Sequence, residues 1–261
     1  MCKPISTPID KKTKLSNKMC PIEDIDIRAM EKVPYRSTIG SLMYAMTGTR
    51  PDLSFFISLV SRFQSNLEDE HWKAVKRILR YLKGTMNNTL TYKGETKIAI
   101  ERYSDASYRA DPDDAKSTSG YVFMLGGGAV YWKSKKQDIV ALSTMESEYV
   151  ACCQAAKEVV WIKKFFNQLN FYPVRCEAMQ VFCDNTAVIC VSKEPRFHKN
   201  SKHIKPYFFH LRNEVRLKEI VISYISTNLI IADTLTKRVV PNVFVRHMRE
   251  MVMRESEEER M

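Results

Sequence analysis

Apolar and polar positions change period along the chain, and the changes mark its parts. Residues 34–66 carry two apolar stretches split by Thr49-Arg50-Pro51-Asp52. Pro51 stands where the first turn of a helix tolerates proline, and residues 53–63 repeat apolar side chains at helical spacing. A third helix is predicted over residues 68–83. On it Trp72, Val75, Leu79 and Leu82 share one face, while Lys73, Arg77, Arg80 and Lys83 fall largely on the other. Beyond it the period shortens. An alternating run over residues 98–103 leads to Asp105, and two β-rich runs, 120–125 and 129–133, flank Gly126-Gly127-Gly128 as in a hairpin. Ser143-Thr144-Met145-Glu146 has the S-x-x-E form that opens a helix. Two further strand-like runs follow, Val181-Phe182-Cys183 before Asp184 and residues 220–225 ahead of Asp233. The pattern reads strand–strand–strand–helix–strand–helix–strand–helix, an α/β arrangement.

Composition narrows the class. The chain has 261 residues, enough to bury a sizeable core, and 41 basic against 30 acidic residues give a formal charge of +11. That balance favours a polyanionic partner. Residues 1–34, rich in Lys, Pro, Ser and Asp, predict a loosely ordered arm that packs little of itself. The N-terminus lacks the apolar core of a signal peptide, and no window approaches a membrane span. Seven cysteines without a C-x-x-C pair read as reduced thiols of an intracellular protein; cytoplasm, nucleus and virus-like particle stay open. Five scattered His give zinc no support.

The candidate chemistry lies in carboxylates at element ends. Asp105 reads either as a turn residue or as a carboxylate projecting from the sheet's carboxyl edge, where α/β folds place ligands. Asp184 and Asp233 each read alternatively as helix caps. If the strands that carry Asp105 and Asp184 run side by side and parallel, their carboxylates face each other, and a cation must neutralise them. Glu146 and Glu148, two apart on a helix, point in different directions and cannot both reach one ion. Ser143 as cap places Glu146 at the third helical position, folded back on the cap, and leaves Glu148 free to face the sheet with Cys152 and Ala155.

The ordered blocks YSDAS, KSTSGYVF, VYWKSKKQ, ALSTMESEYVA, CDNTAV, NSKHI and ADTLTK resemble the ribonuclease H domain at the end of copia-type LTR retrotransposon polyproteins. Upstream, YRSTIGSLMYAMTGTRPD and HWKAVKRILRYLKGT resemble the segment that links polymerase to ribonuclease H in the same polyproteins, the C-terminal end of the reverse transcriptase. The resemblance implies a ribonuclease H-like five-stranded mixed sheet flanked by helices and preceded by a small helical segment. It implies four parts: an arm (1–34), the helical segment (35–94), the ribonuclease H-like domain (97–240) and a C-terminal helix or tail (241–261).

The same resemblance implies hydrolysis of the RNA strand of an RNA–DNA hybrid. Asp105, Glu148, Asp184 and Asp233 would hold two Mg²⁺ or Mn²⁺ ions, one lowering the pKa of the attacking water and the other stabilising the leaving 3′-oxygen. Family alignment also places the active Glu before the aromatic residue, which favours Glu148. Ala106, Ser107 and Asn185 are the expected contacts to 2′-hydroxyls. The basic face with Lys73, Arg77 and Arg80 is either a phosphate track or a solvated face. The polymerase part of a reverse transcriptase is a possible partner; a membrane is not. Asp113-Asp114, the only adjacent Asp pair, sits in the polar loop ADPDDAK, so a polymerase active site is not expected here. Two departures from the family stand out: Ser107 where a second Asp is usual, and Lys205-Pro206 where an acidic residue commonly continues the helix. His203 is left as structural. The rival readings are a catalytically idle or domesticated nucleic-acid-binding fragment and, ranked lower, a DDE-type integrase, whose Glu comes last in order.

Overall fold

The computed structural model describes residues 2–10, 13–92, 100–169, 178–194, 203–251 and 253–255. Residues Ile98 and Ile100 of the first alternating run divide at this limit: Ile98 lies outside the described residues, as do Asn200, Ser201 and Lys202 of NSKHI.

The helical part comprises α1 (Asp24–Glu31), α2 (Tyr35–Gly48), α3 (Ser54–Val60) and α4 (Asp69–Gly84). Their core gathers Tyr35, Ile39, Leu53, Phe56, Val60, Val75, Ile78 and Tyr81. The stripe on α4 holds for Val75, which is buried, and for Trp72 and Leu82, which pack against this core, and departs at Leu79. His71, Ala74, Val75, Ile78 and Tyr81 are buried, whereas Leu79 is 40% exposed. His71 stacks on Phe63 and the Tyr81 hydroxyl finds a carboxylate, so both polar-tipped rings go inside and rotate the buried face past Leu79.

The arm also differs. Ile9 and Leu15 are buried in the helical core, and Ser16 Oγ caps a 3-10 turn at Asn17–Met19. The scattered apolar residues of a polar stretch find a groove that the local pattern does not reveal.

Strands follow: β1 (Asn88–Leu90), β2 (Ile100–Ser107), β3 (Thr118–Leu125) and β4 (Gly128–Lys136), then α5 (Thr144–Leu169), β5 (Met179–Cys183), α6 (Thr186–Lys193), α7 (Lys205–Arg216), β6 (Ile220–Tyr224), α8 (Pro241–Glu250) and β7 (Met253–Glu255). Five of them form one sheet in the order β4-β3-β2-β5-β6. The β2–β3 and β3–β4 pairs are antiparallel; β2–β5 and β5–β6 are parallel. This is the ribonuclease H-like order, three antiparallel strands extended by two parallel ones. The β3–β4 hairpin turns on Gly126 and Gly127, both at positive φ (58° and 78°), where side-chain-bearing residues are strained.

One face of the sheet packs on α5, α6 and α7 through Tyr121, Phe123, Tyr149, Val181, Val188, Phe208 and Ile222. The other carries a cluster of Tyr103, Val122, Met124 and Ala129, closed by Ile230, Ile231, Ala232 and Leu235. The C-terminal α8 returns to the helical part, with Phe244 against Phe56 and Tyr81 at 5.8 Å each. β7 pairs antiparallel with β1. Among the described residues no helix is long and apolar enough to cross a membrane, and the six described cysteines are free thiols.

Candidate metal centre

Strand register brings the first two carboxylates level. β2 and β5 pair in parallel at Tyr103 and Phe182, and Asp105 and Asp184 each lie two residues beyond that pair, at the carboxyl edge. Asp105 is buried at 1% exposure, while Asp184 is half-exposed. The Thr227 hydroxyl donates to Asp184 Oδ2 at 2.9 Å. Asp184 is not a helix cap. That role belongs to Asn185, whose Oδ1 accepts from the N–H groups of Ala187 and Val188.

Asp233 arrives from the opposite side of the sheet. It was expected to open the last helix, but it lies in a 3-10 turn, Ile231–Leu235, and the next α-helix begins only at Pro241. The proline biases the preceding residue away from helical geometry, so α8 starts afresh with Pro241 in its first turn. The 3-10 turn can approach because β3 has no side chain beneath it. Gly120 pairs with Asp105, and a Cβ on Gly120 would meet Thr236 Cγ2 at 2.6 Å and Leu235 Cβ at 2.8 Å. The close approach lets the Thr236 hydroxyl bond Asp105 Oδ2.

The helix supplies the fourth carboxylate in the expected register. Ser143 Oγ accepts from Glu146 N at 3.2 Å, and Glu146 folds back, though its Oε2 accepts from Leu142 N (2.7 Å) rather than from Ser143 N. The same oxygen lies 3.1 Å from His203 Nε2, so His203 ties its segment to the start of α5. Glu148 instead joins the cluster: its ligand oxygen, Cys183 Sγ and an Asp184 oxygen all lie within 4.8 Å of one another. The thiol is no match for a hard cation. Its hydrogen bond to Cys152 and burial push it far above the ordinary cysteine range, so it stays protonated.

Electrostatically the cluster is incomplete. Burial, followed by the charge of Asp105, raises Glu148 well above the usual carboxylate range. Burial likewise pushes Asp105 up to about 7, with Lys237 opposing and Asp233 and Asp184 adding to the rise. Lys237 is the cation at hand, its Nζ 2.7 Å from Asp233 Oδ1 and 3.9 Å from Asp105 Oδ2. Glu148 Oε2 is buried with no hydrogen-bond partner among the described residues. Lys237 pairs with Asp105 and Asp233, while Glu148 and Asp184 lie together without an ion pair among the described residues and a buried Glu148 oxygen is left over. Such a set of hard oxygen donors fits a divalent cation.

The nucleic-acid candidates fare differently. Ser107 is half-buried at the end of β2. Ala106 is buried, and its methyl group has no polar atom to offer a 2′-hydroxyl. On α4, Lys73 is paired with Asp69 and Glu70 at 2.8 and 2.7 Å. Arg77 reaches Thr7 and Asp10, and Arg80 donates to the Lys3 carbonyl. The arm, expected to stay loose, occupies part of that basic face. Asp113 and Asp114 are also engaged within the chain, by Ser16, Asn17 and Lys136. The reading from sequence did not assign Lys237, Thr236 or Thr227 to the site. The first two lie inside the ADTLTK block, which marked a place but not these contacts.

No family model matches the chain. It is 44% identical over 93% of its length to the retrovirus-related Pol polyprotein from transposon TNT 1-94 of Nicotiana tabacum, covering 18% of that protein. It is 35% identical over 90% of its length to the corresponding polyprotein of transposon RE2 from Arabidopsis thaliana, covering 16% of it. The chain thus spans less than a fifth of the length of these relatives. Among solved structures it is similar to LC11-RNase H1 in complex with RNA/DNA hybrid, at 18% identity and a TM-score of 0.39, over 53% of this chain and 94% of that one.

Proposed function

We propose, for a chain that belongs to the copia-type retrotransposon Pol polyproteins, that its carboxylate cluster performs endonucleolytic hydrolysis of the RNA strand of RNA–DNA hybrids. The observation that supports this reading is that Glu148 and Asp184 oxygens lie within 4.8 Å of each other, with Glu148 Oε2 buried and unpartnered among the described residues. Beside them Asp105 is raised by burial and by the charges of Asp233 and Asp184, and it shares Lys237 with Asp233. Two Mg²⁺ or Mn²⁺ ions held by these carboxylates would supply charge neutralisation and a lowered pKa for the attacking water. The remaining work falls to the chain itself. Thr227 orients Asp184 and Thr236 holds Asp105. Gly120 lets the turn that carries Asp233 close on the sheet. Lys237 offsets part of the negative charge and competes for the Asp233 oxygen. Ser107, and the Asn185 amide nitrogen left free by the cap, stand beside the cluster as donors for a 2′-hydroxyl, the group that distinguishes RNA from DNA.

The test incubates the purified chain with a labelled RNA–DNA hybrid, alongside RNA–RNA and DNA–DNA duplexes. The expected result is cleavage of the hybrid alone, dependent on Mg²⁺ or Mn²⁺, leaving 5′-phosphate and 3′-hydroxyl ends. Equal cutting of the DNA duplex, or activity that survives EDTA, would falsify it.

A further inference from the structure

A cavity of about 310 Å³ adjoins the cluster on the side of the helical part. Its wall joins distant pieces of chain: Lys14 from the arm, Arg62 after α3, Arg109 after β2, and Lys237 and Arg238 after the 3-10 turn. No Asp or Glu lines it. Two of these cations have acid partners, Arg62 on Asp111 at 2.6 Å and Lys237 on Asp233. Lys14, Arg109 and Arg238 make no ion pair among the described residues. Arg238 is the most constrained. Its guanidinium stands 6.0 Å over the Phe55 ring and its Nε is buried without a hydrogen-bond partner. Burial, followed by repulsion from the neighbouring Arg62, lowers its pKa. Arg62 has Asp111 as ion-pair partner with Asp114 and Asp113 nearby, whereas among the described residues no acid offsets Arg238, and an anion would relieve its uncompensated charge.

The anion's chemistry follows from the surroundings. Ser107 and Thr118 add hydroxyl donors, and Thr236 and Lys237 connect the cavity wall directly to Asp105 and Asp233. An Arg fork suits the oxygens of a phosphodiester, and each phosphate neutralised releases counterions. We infer that this cavity holds one backbone phosphate of a nucleic-acid duplex whose neighbouring linkage lies at the carboxylates, with Arg238 and Lys14 as its principal cations. The inference deepens the nuclease reading and rests on it for the duplex, an RNA–DNA hybrid. It also transfers the phosphate contact from the α4 face, whose Lys73 is already paired twice within its own helix.

Binding in EDTA separates the two readings, because no cleavage is needed. Fluorescence anisotropy of the full chain with a labelled RNA–DNA hybrid, across a series of KCl concentrations, gives the slope of log affinity against log salt. Arg238→Gln and Lys14→Gln should each flatten the slope by up to about 0.9, the value for one B-form phosphate contact, and weaken binding several-fold. Arg238→Lys should restore most of the slope, and Lys73→Gln should leave it unchanged. Lys14 is exposed, so its variant keeps the measurement valid if Arg238→Gln unfolds. The cavity assignment is overturned if both Gln variants, folded by circular dichroism, keep the wild-type slope, if Lys73→Gln flattens it equally, or if the chain binds no hybrid. If the slope responds as stated but the chain never cuts with Mg²⁺, the phosphate site stands and the nuclease reading falls. Cutting with an indifferent slope means the reverse.

Discussion

Two buried charged sites in this molecule are built on opposite terms. In the helical part Arg50 grips Asp52 with two hydrogen bonds of 3.0 and 2.8 Å, Tyr81 donates to the same carboxylate at 2.6 Å, and Arg50 also reaches Thr85. Charge and hydrogen bonds close within the chain. At the sheet edge Lys237 pairs with Asp105 and Asp233, and a buried oxygen of the nearby Glu148 is left without a partner among the described residues. Burying charge is costly unless it is paired. A completed network is therefore explained by the fold it holds together, whereas an incomplete one calls for something outside the chain.

The largest effect that would sharpen this contrast is on activity. Glu148→Gln removes a charge that the cations need while keeping shape, so hybrid cleavage should fall by orders of magnitude with the fold intact. Glu146→Gln should retain most activity, because a Gln oxygen can still accept from Leu142 N as Glu146 does. If the two variants exchange behaviour, the roles assigned to them must be exchanged as well.

The completed network should respond in stability instead. Asp52→Ala strands Arg50 in the core and should cost about 3–5 kcal/mol in a denaturant titration. A loss under about 1 kcal/mol would show the pair to be dispensable and remove the contrast. Smaller again is Gly120→Ala, whose Cβ would press on Thr236 and Leu235. It should cost about 1–3 kcal/mol through overpacking and also weaken Mg²⁺ binding by displacing the turn that carries Asp233. Unchanged Mg²⁺ affinity in a destabilised variant would mean that this turn does not set the site.

Much of the sheet was legible in the sequence because it depends on short-range pattern, whereas the carboxylate set followed from the ordered blocks that resemble the family. Alternation gave β2, glycines gave the β3–β4 turn, and Ser143 fixed the register that separates Glu146 from Glu148. What depends on distant partners was not legible. The buried face of α4 turned on whether His71 and Tyr81 would find partners inside. The place of Ile9 and Leu15 depended on a groove formed by other helices. Lys237 read as one more base in a basic chain until the fold set it against Asp233, and the Arg238 cavity needs four separate pieces of chain to exist.

The most direct test of the cluster as a cation site is the pH dependence of stability, with and without Mg²⁺. With Asp105 raised to about 7, against an ordinary value near 4, the folded chain holds a proton that the unfolded chain has released. The stability this contributes is full below about 4 and is lost as pH rises through about 7. In EDTA the melting temperature of the wild type should therefore decline across that window relative to Asp105→Asn, which cannot ionise there. Mg²⁺ should abolish the relative decline by stabilising the ionised carboxylates. Wild-type and Asp105→Asn curves that stay parallel in EDTA, with Mg²⁺ moving neither, would contradict the assignment.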